Sequence, residues 1–317
     1  MSGQAIKHRF NIDRLQIGFW LPTSQLNGIE YGFATNCIKA RKPLKGYGER
    51  KVLNLYYIFN DTVLFGDNGV YIGQLFWYGD EVGDCRVYVT YANEVLYDSR
   101  LSEYMKAVHN AVVERGGRFS HISRLDIAYD TNLNLMQRFE RLTQRREPAV
   151  LLKGKPKECK FKINGRVVRR VWDTTPNFYA YPNRYDTNKT VYVKGCYTKG
   201  KEQMFLRIYN KTKEVCDNGN KKAYVLAWFG NQRNHIYRLE VSFKKTNVIK
   251  ATIEKALGCN AYPTNNNYIG FIVNAYNLQV LFEEASRRIF STTVTVNRTA
   301  VGYGFTELVE RDMVIMP

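Results

Sequence analysis

Three short segments carry residue types and spacings suited to chemistry on a phosphodiester. In FLRIYNK (Phe205–Lys211), Arg207, Tyr209 and Lys211 alternate with Leu206 and Ile208. In an extended chain alternate residues share a face, so a phenol stands between two cations. In RLDIAYD (Arg124–Asp130), Arg124, Asp126 and Asp130 lie opposite Leu125, Ile127 and Tyr129. In YRLEVSF (Tyr237–Phe243), Arg238, Glu240 and Ser242 lie opposite Leu239, Val241 and Phe243. Each segment reads as a strand with one face for a core and one charged face. A single such strand is most simply a solvated surface with cross-strand ion pairs. If all three are neighbours in one sheet, their polar sides form one patch of carboxylates, cations and a phenol.

The chemistry that needs such a patch is transesterification of a phosphodiester. Asp126, Asp130 and Glu240 are hard oxygen ligands of the kind that hold Mg2+ or Mn2+, which would polarise the scissile phosphate. Tyr209 is the expected nucleophile. A phenol is mostly protonated at neutral pH, and cations such as Arg207 and Lys211 would favour the phenolate and the charged transition state. A hydrolytic nuclease would use water and would not need the tyrosine. Tyr192 and Tyr197 lie close in sequence and are rival nucleophiles.

The elements that must position these residues are legible in part. KVLNLYYIF, GVYIGQLFWY and CRVYVTYA read as strands separated by turn residues. SRLSEYMKAVHNAVVERGG reads as a helix, with Leu101, Met105, Val108 and Val112 at helical spacing and Gly116–Gly117 as its stop. A short amphipathic helix is expected through LNLMQRFERLTQRR, and further strands at CKFKING, VVRRVW, NFYAYP and TVYV. Helical signals return in NVIKATIEKALG and NNYIGFIVNAYNLQVLFEEASRRIF. Strands interleaved with a few helices, without strict alternation, predict an α+β fold. The expected form is a largely antiparallel sheet carrying the active site, flanked by helices, in a domain over 1–246. A partly helical C-terminal segment over 247–317 completes it.

Charge narrows the partner class. The chain of 317 residues has 47 Lys+Arg against 29 Asp+Glu, a formal net charge of +18. That balance favours a polyanion, of which nucleic acid is the commonest. Between Arg138 and Lys222 there are 22 basic residues against 8 acidic ones. Lys153, Lys155, Arg169, Arg170, Lys194 and Lys199 are the expected DNA contacts in this region. The six cysteines are scattered without C-x-x-C spacing, which argues against a zinc site or a disulfide framework. No apolar leader and no bilayer-length apolar run is evident, so a cytoplasmic protein without membrane contact is expected.

With these residues in view, the chain resembles the trans-acting rolling-circle replication initiators of small plasmids and some filamentous phages, the replication initiation factor family. The resemblance rests on SRLDIAYD (Ser123–Asp130), FLRIYNKTKE (Phe205–Glu214) and YRLEVSFKK (Tyr237–Lys245), in the family's order, and spans roughly residues 87–245. RIYNK is the most specific of these motifs. The resemblance implies origin binding and nicking of one strand, with Tyr209 becoming linked to the 5′ end and a 3′-hydroxyl left to prime synthesis. It implies Asp126, Asp130 and Glu240 as metal ligands, a homodimer, and host helicase and polymerase partners. Members of the family carry an acid where Tyr88 stands, and the loop VKGCYTKGKEQ lacks their usual Gly-Ser-Arg run. Four histidines without a His-x-His pair disfavour the histidine-metal type of nicking enzyme.

Two other classes fit parts of the sequence. A non-catalytic nucleic-acid-binding protein could stack bases on Tyr209 and other aromatics over a basic sheet. Asp126, Asp130 and Glu240 count against it, since they would repel a phosphate backbone unless a cation sits between. A recombinase-like or phage-packaging enzyme would also use a tyrosine, but such recombinases rely on a cluster of Arg and His and need no metal, which fits this sequence poorly.

Overall fold

The computed structural model describes residues 7–26, 38–41, 50–58, 69–78, 83–138, 204–227, 229 and 235–289, with strand residues 151–152, 159–163, 166–170, 178–182, 189–194, 197–198, 201–202, 292–296 and 299–303. In chain order the strands begin with β1 (His8–Pro22), β2 (Ile38–Arg41), β3 (Arg50–Tyr57), β4 (Val70–Tyr78), β5 (Asp84–Tyr91) and β6 (Arg118–Thr131). They continue with β7 (Leu151–Leu152), β8 (Cys159–Ile163), β9 (Arg166–Arg170), β10 (Phe178–Pro182), β11 (Lys189–Lys194), β12 (Tyr197–Thr198) and β13 (Lys201–Glu202). The last are β14 (Met204–Asn210), β15 (Tyr237–Phe243), β16 (Thr292–Val296) and β17 (Thr299–Tyr303). The helices are α1 (Asn93–Leu96), α2 (Leu101–Val113), α3 (Lys211–Asp217), α4 (Tyr224–Ala227), α5 (Thr246–Leu257), α6 (Tyr268–Val273) and α7 (Ala275–Ile289).

The fold is α+β. One twelve-stranded sheet runs in the order β2-β3-β4-β5-β1-β6-β15-β14-β11-β10-β8-β9. Its pairings are antiparallel apart from β8 with β10. The three chemistry-bearing segments are β6, β14 and β15, and they are adjacent, with β15 in the middle. The strand beside them is β1, which pairs with β5 on one side and β6 on the other. Its apolar residues change phase, Phe10 and Ile12 at even positions but Leu15, Ile17, Phe19 and Leu21 at odd ones. The register against β6 slips between Ile12 and Arg14, so one extra residue, Asp13, absorbs the change as a bulge. Without the bulge, one half of the strand would turn its apolar side to the wrong face.

One face of the sheet is apolar and covered by helices. Leu125 and Ile127 of β6, Leu239, Val241 and Phe243 of β15, and Leu206 and Ile208 of β14 share a core with Ile249 and Ile253 of α5 and Phe282 of α7. The same core takes in Met105 and Val108 of α2 and Tyr268 of α6. Helix α2 buries Leu101, Tyr104, Met105, Val108, Ala111 and Val112, the stripe its spacing predicts. It ends where Gly116 takes φ +69°, a left-handed conformation that glycine adopts without penalty, and the Gly117 N–H closes back on the Val112 carbonyl at 2.9 Å. The long C-terminal helical signal divides at Asn274, whose side chain accepts from the Tyr276 and Asn277 N–H groups and starts α7.

The helices after Thr246 pack on the same core as the sheet, so the boundary expected there is a change of element type within one hydrophobic unit. Residues 135–138 are helical, and the rest of the helix expected through Arg146 lies outside the described residues. Among the described residues, no helix is long and apolar enough to cross a membrane.

Candidate active site

The opposite face of β6, β15 and β14 carries the polar groups, and cross-strand register assembles them into rows. In one row Asp130, Arg238 and Tyr209 are direct neighbours. In the next, Ala128, Glu240 and Arg207 are aligned, and Asp126 stands opposite Ser242 one row further. Asp126, Asp130, Arg238, Glu240 and Ser242 are all buried, an unusual set to take out of water unless each is paired.

Glu240 is the acceptor at the centre. The Tyr209 hydroxyl donates to Glu240 Oε2 at 3.1 Å, and Arg207 pairs with Oε1, to which Ser242 Oγ also donates at 3.3 Å. The Arg207 guanidinium and the Lys211 ammonium each lie 5.8 Å from the centre of the Tyr209 ring. The expected cluster of a phenol, two cations and a carboxylate is therefore present. Its electrostatics differ from expectation. Burial and the facing Glu240 carboxylate push the Tyr209 hydroxyl well above the usual phenol range, and Arg238 and Arg207 do not offset them. The cations do not create a phenolate, because Arg207 is committed to Glu240 and Lys211 to Glu214. Tyr209 is held as a neutral phenol that donates its hydroxyl hydrogen to Glu240.

Lys211 is also placed differently. It opens α3, where the preceding Asn210 caps the helix by accepting from the Lys213 N–H at 3.0 Å. The turn into the helix buries the ammonium. Burial, with Arg238 nearby, lowers its proton affinity.

The three expected metal ligands do not form one group. Among the described residues, no three His, Cys, Asp or Glu side chains are placed to hold a metal ion together. Asp130 is fully engaged by Arg238, whose Nε and Nη2 reach its two oxygens at 2.6 and 2.7 Å, with Asn11 Nδ2 at 3.3 Å. It also lies four residues along β6 from Asp126, roughly 13 Å of strand. Asp126 pairs with Arg124 at 3.1 Å. Burial and repulsion from Glu240 push its carboxyl up to about 6. Two carboxylates that repel one another in a buried setting fit a divalent cation with water and phosphate as its other ligands. As they stand the residues do not meet that test: Arg124 holds Asp126, Tyr209, Arg207 and Ser242 take both oxygens of Glu240, and Arg238 takes Asp130.

Arg238 is the residue whose importance the sequence hides. Its guanidinium is completely buried and pairs with Asp13 as well as Asp130. Its Nη2 donates to the Tyr97 hydroxyl at 2.7 Å, which donates onward to Asp13 Oδ1 at 2.9 Å. Asn93 Nδ2 holds the Asp13 carbonyl at 2.6 Å, and Tyr224 donates to the Asn93 carbonyl oxygen. Burial alone would raise the Asp13 carboxyl, but attraction from Arg238, Lys211 and Lys222 holds it well below the usual range. Asp13, Tyr97 and Asn93 were not among the candidate residues. The phase change in β1 is the signal that marks Asp13.

Of the expected DNA contacts, Arg169 and Arg170 lie on β9, the last strand of the sheet, and Lys194 lies on β11 opposite Phe205. Lys153, Lys155 and Lys199 lie outside the described residues. Of the rival tyrosines, Tyr192 registers with Arg207 from β11, and Tyr197 lies on β12 in a separate two-stranded sheet. Tyr88, where an acid was expected, lies on β5 against Gly18 of β1. Comparison with known proteins assigns no family: no family model, curated protein or solved structure matches the chain.

Proposed function

We propose that the protein is a DNA nicking-closing enzyme that starts rolling-circle replication, with Tyr209 as nucleophile and Glu240 as its base. The observation that carries this reading is the Tyr209–Glu240 hydrogen bond beside Arg207, on a polar sheet face of a chain with net charge +18. In the proposed step the phenol oxygen attacks phosphorus and its proton passes to Glu240 Oε2. The P–O3′ bond breaks as the Tyr–O–P bond forms, and the leaving 3′-oxygen takes a proton from water. Arg207, at the same carboxylate, is positioned to stabilise charge on the phosphoryl oxygens. The number of phosphodiester bonds is unchanged, so a 3′-hydroxyl can reverse the step.

The test is a denaturing gel of protein mixed with labelled single-stranded DNA. A covalent adduct is expected from the native chain and none from Tyr209→Phe, which should bind the same DNA within about twofold. An adduct formed by the Phe variant would overturn the assignment of Tyr209. The second reading, a binding protein without catalysis, is favoured by the raised proton affinity of Tyr209. It predicts no adduct under any condition.

A further inference from the structure

The sheet face that carries Tyr209 continues onto β1, β5 and β4, where carboxylates give way to aromatic rings and arginines. Tyr88 on β5 and His121 on β6 both register with Gly18 on β1. The space over Gly18 is taken by the imidazole, since a Cβ there would lie 2.6 Å from His121 Cε1. Tyr88 stacks on Phe76 with ring centres 5.3 Å apart and 20° between planes, and meets His121 edge-on at 6.0 Å. One row further along, Trp20 registers with Arg86 and Arg118, and the Arg86 guanidinium lies 4.6 Å from the Trp20 ring centre. Tyr78, at the end of β4, is 56% exposed, and Arg86 and Arg118 are exposed as well. Trp20, Tyr88 and His121 are half-buried.

Cross-strand aromatic pairs stabilise sheets, but that role does not require guanidinium groups among the rings. Ring faces interleaved with fixed positive charge are what a single-stranded nucleic acid needs, the rings for its bases and the charges for its phosphates. From the Trp20 row to Arg14, which stands opposite Asp126, is six residues of β1, roughly 20 Å. The surface therefore leads along the strands toward the candidate active site. Arg118 pairs with Asp84 at 2.9 Å and Arg124 with Asp126 at 3.1 Å, and the first of these pairs is exposed enough for a phosphate to compete.

We infer that single-stranded DNA lies across β4, β5, β1 and β6 on this face, with bases against Tyr78, Tyr88 and Trp20 and phosphates at Arg86 and Arg118. This inference rests on the Tyr209 reading only for the direction in which the strand is led. The test uses the full chain and a fluorescein-labelled oligo-dT of about 20 nucleotides, a length on the scale of sheet-bound single strands. Tyr78→Ala and Tyr88→Leu should each weaken binding about tenfold without changing its salt dependence. Arg86→Gln should weaken binding and reduce the slope of log K against log salt by about 0.7. Tyr78 is on the surface, so its variant keeps the test valid if Tyr88→Leu fails to fold. A Tyr78→Ala, Trp20→Leu double variant that folds and binds oligo-dT as tightly as the native chain overturns the inference. If these variants lose binding but no DNA ever forms an adduct, the surface stands and the catalytic reading falls. If adducts form while the aromatic variants bind normally, the reverse holds.

Discussion

The hydrogen bond from Tyr209 to Glu240 is the residue-scale feature on which the proposed reaction turns. In the proposed step the phenol gives its proton to Glu240 as it attacks, so on that reading Glu240→Gln should cost roughly 100-fold or more in the rate of adduct formation, within the range of a lost general base. Oligonucleotide binding by that variant is expected to change little. Asp126 offers an independent check through stability. Its carboxyl is raised from 3.8 to about 6, so the folded state binds the proton more tightly than the unfolded state does. Its contribution is therefore present below about pH 4 and lost as pH rises to 6. Asp126→Asn should stabilise the protein relative to native above pH 7 by on the order of 2 kcal/mol, and the difference should vanish near pH 4. Urea unfolding at a series of pH values measures it, and a pH-independent difference would contradict the assigned cause. At this scale the sequence was informative about residue types and poor about partners. Alternation placed Tyr209, Arg207, Glu240 and Asp126 on polar faces. It could not show that Arg238 takes Asp130 for itself, because register is a tertiary property.

At the scale of elements, β1 holds the site together. The strands around it were legible from their β-branched and aromatic runs, and α2 from its apolar spacing. β1 was missed because its alternation breaks at Asp13, and a broken period reads as no period. The break is the bulge, and the bulge delivers Asp13 to Arg238. Removing one partner of a buried ion pair is more damaging than removing the pair. Arg238→Met should cost about 3–5 kcal/mol by leaving the buried Asp130 and the half-buried Asp13 without their cation, and adding Asp13→Asn and Asp130→Asn should recover much of that loss. Chemical denaturation of the single and triple variants decides this, with a triple variant no better than the single as the contrary outcome. Asp13 also has a sign opposite to Asp126. Its lowered carboxyl stabilises the fold above about pH 4, and that contribution is lost on acidification.

For the whole molecule the governing quantity is charge. With a surplus of +18, binding to the proposed nucleic-acid partner should depend steeply on salt. Charge reversal at Lys153, Lys155, Arg169 or Arg170 should weaken binding and flatten that dependence by one to two in slope, measured by titration at several salt concentrations. An unchanged slope would remove that basic segment from the interface. The class of fold was legible in the mixture of strands and helices. The continuity of the core was not, since nothing in the composition after Thr246 shows that Ile249, Ile253 and Phe282 pack under the same sheet.

Arg238 bonds to Asp130 across 108 residues of chain and to Asp13 across 225. Nothing made before it can close the site, so a polypeptide still emerging from the ribosome carries Tyr209 without its support. A chain that stopped before residue 238 would hold neither the cation that pairs Asp13 and Asp130 nor the acceptor of the Tyr209 hydroxyl, so the cluster exists only once β15 has been made.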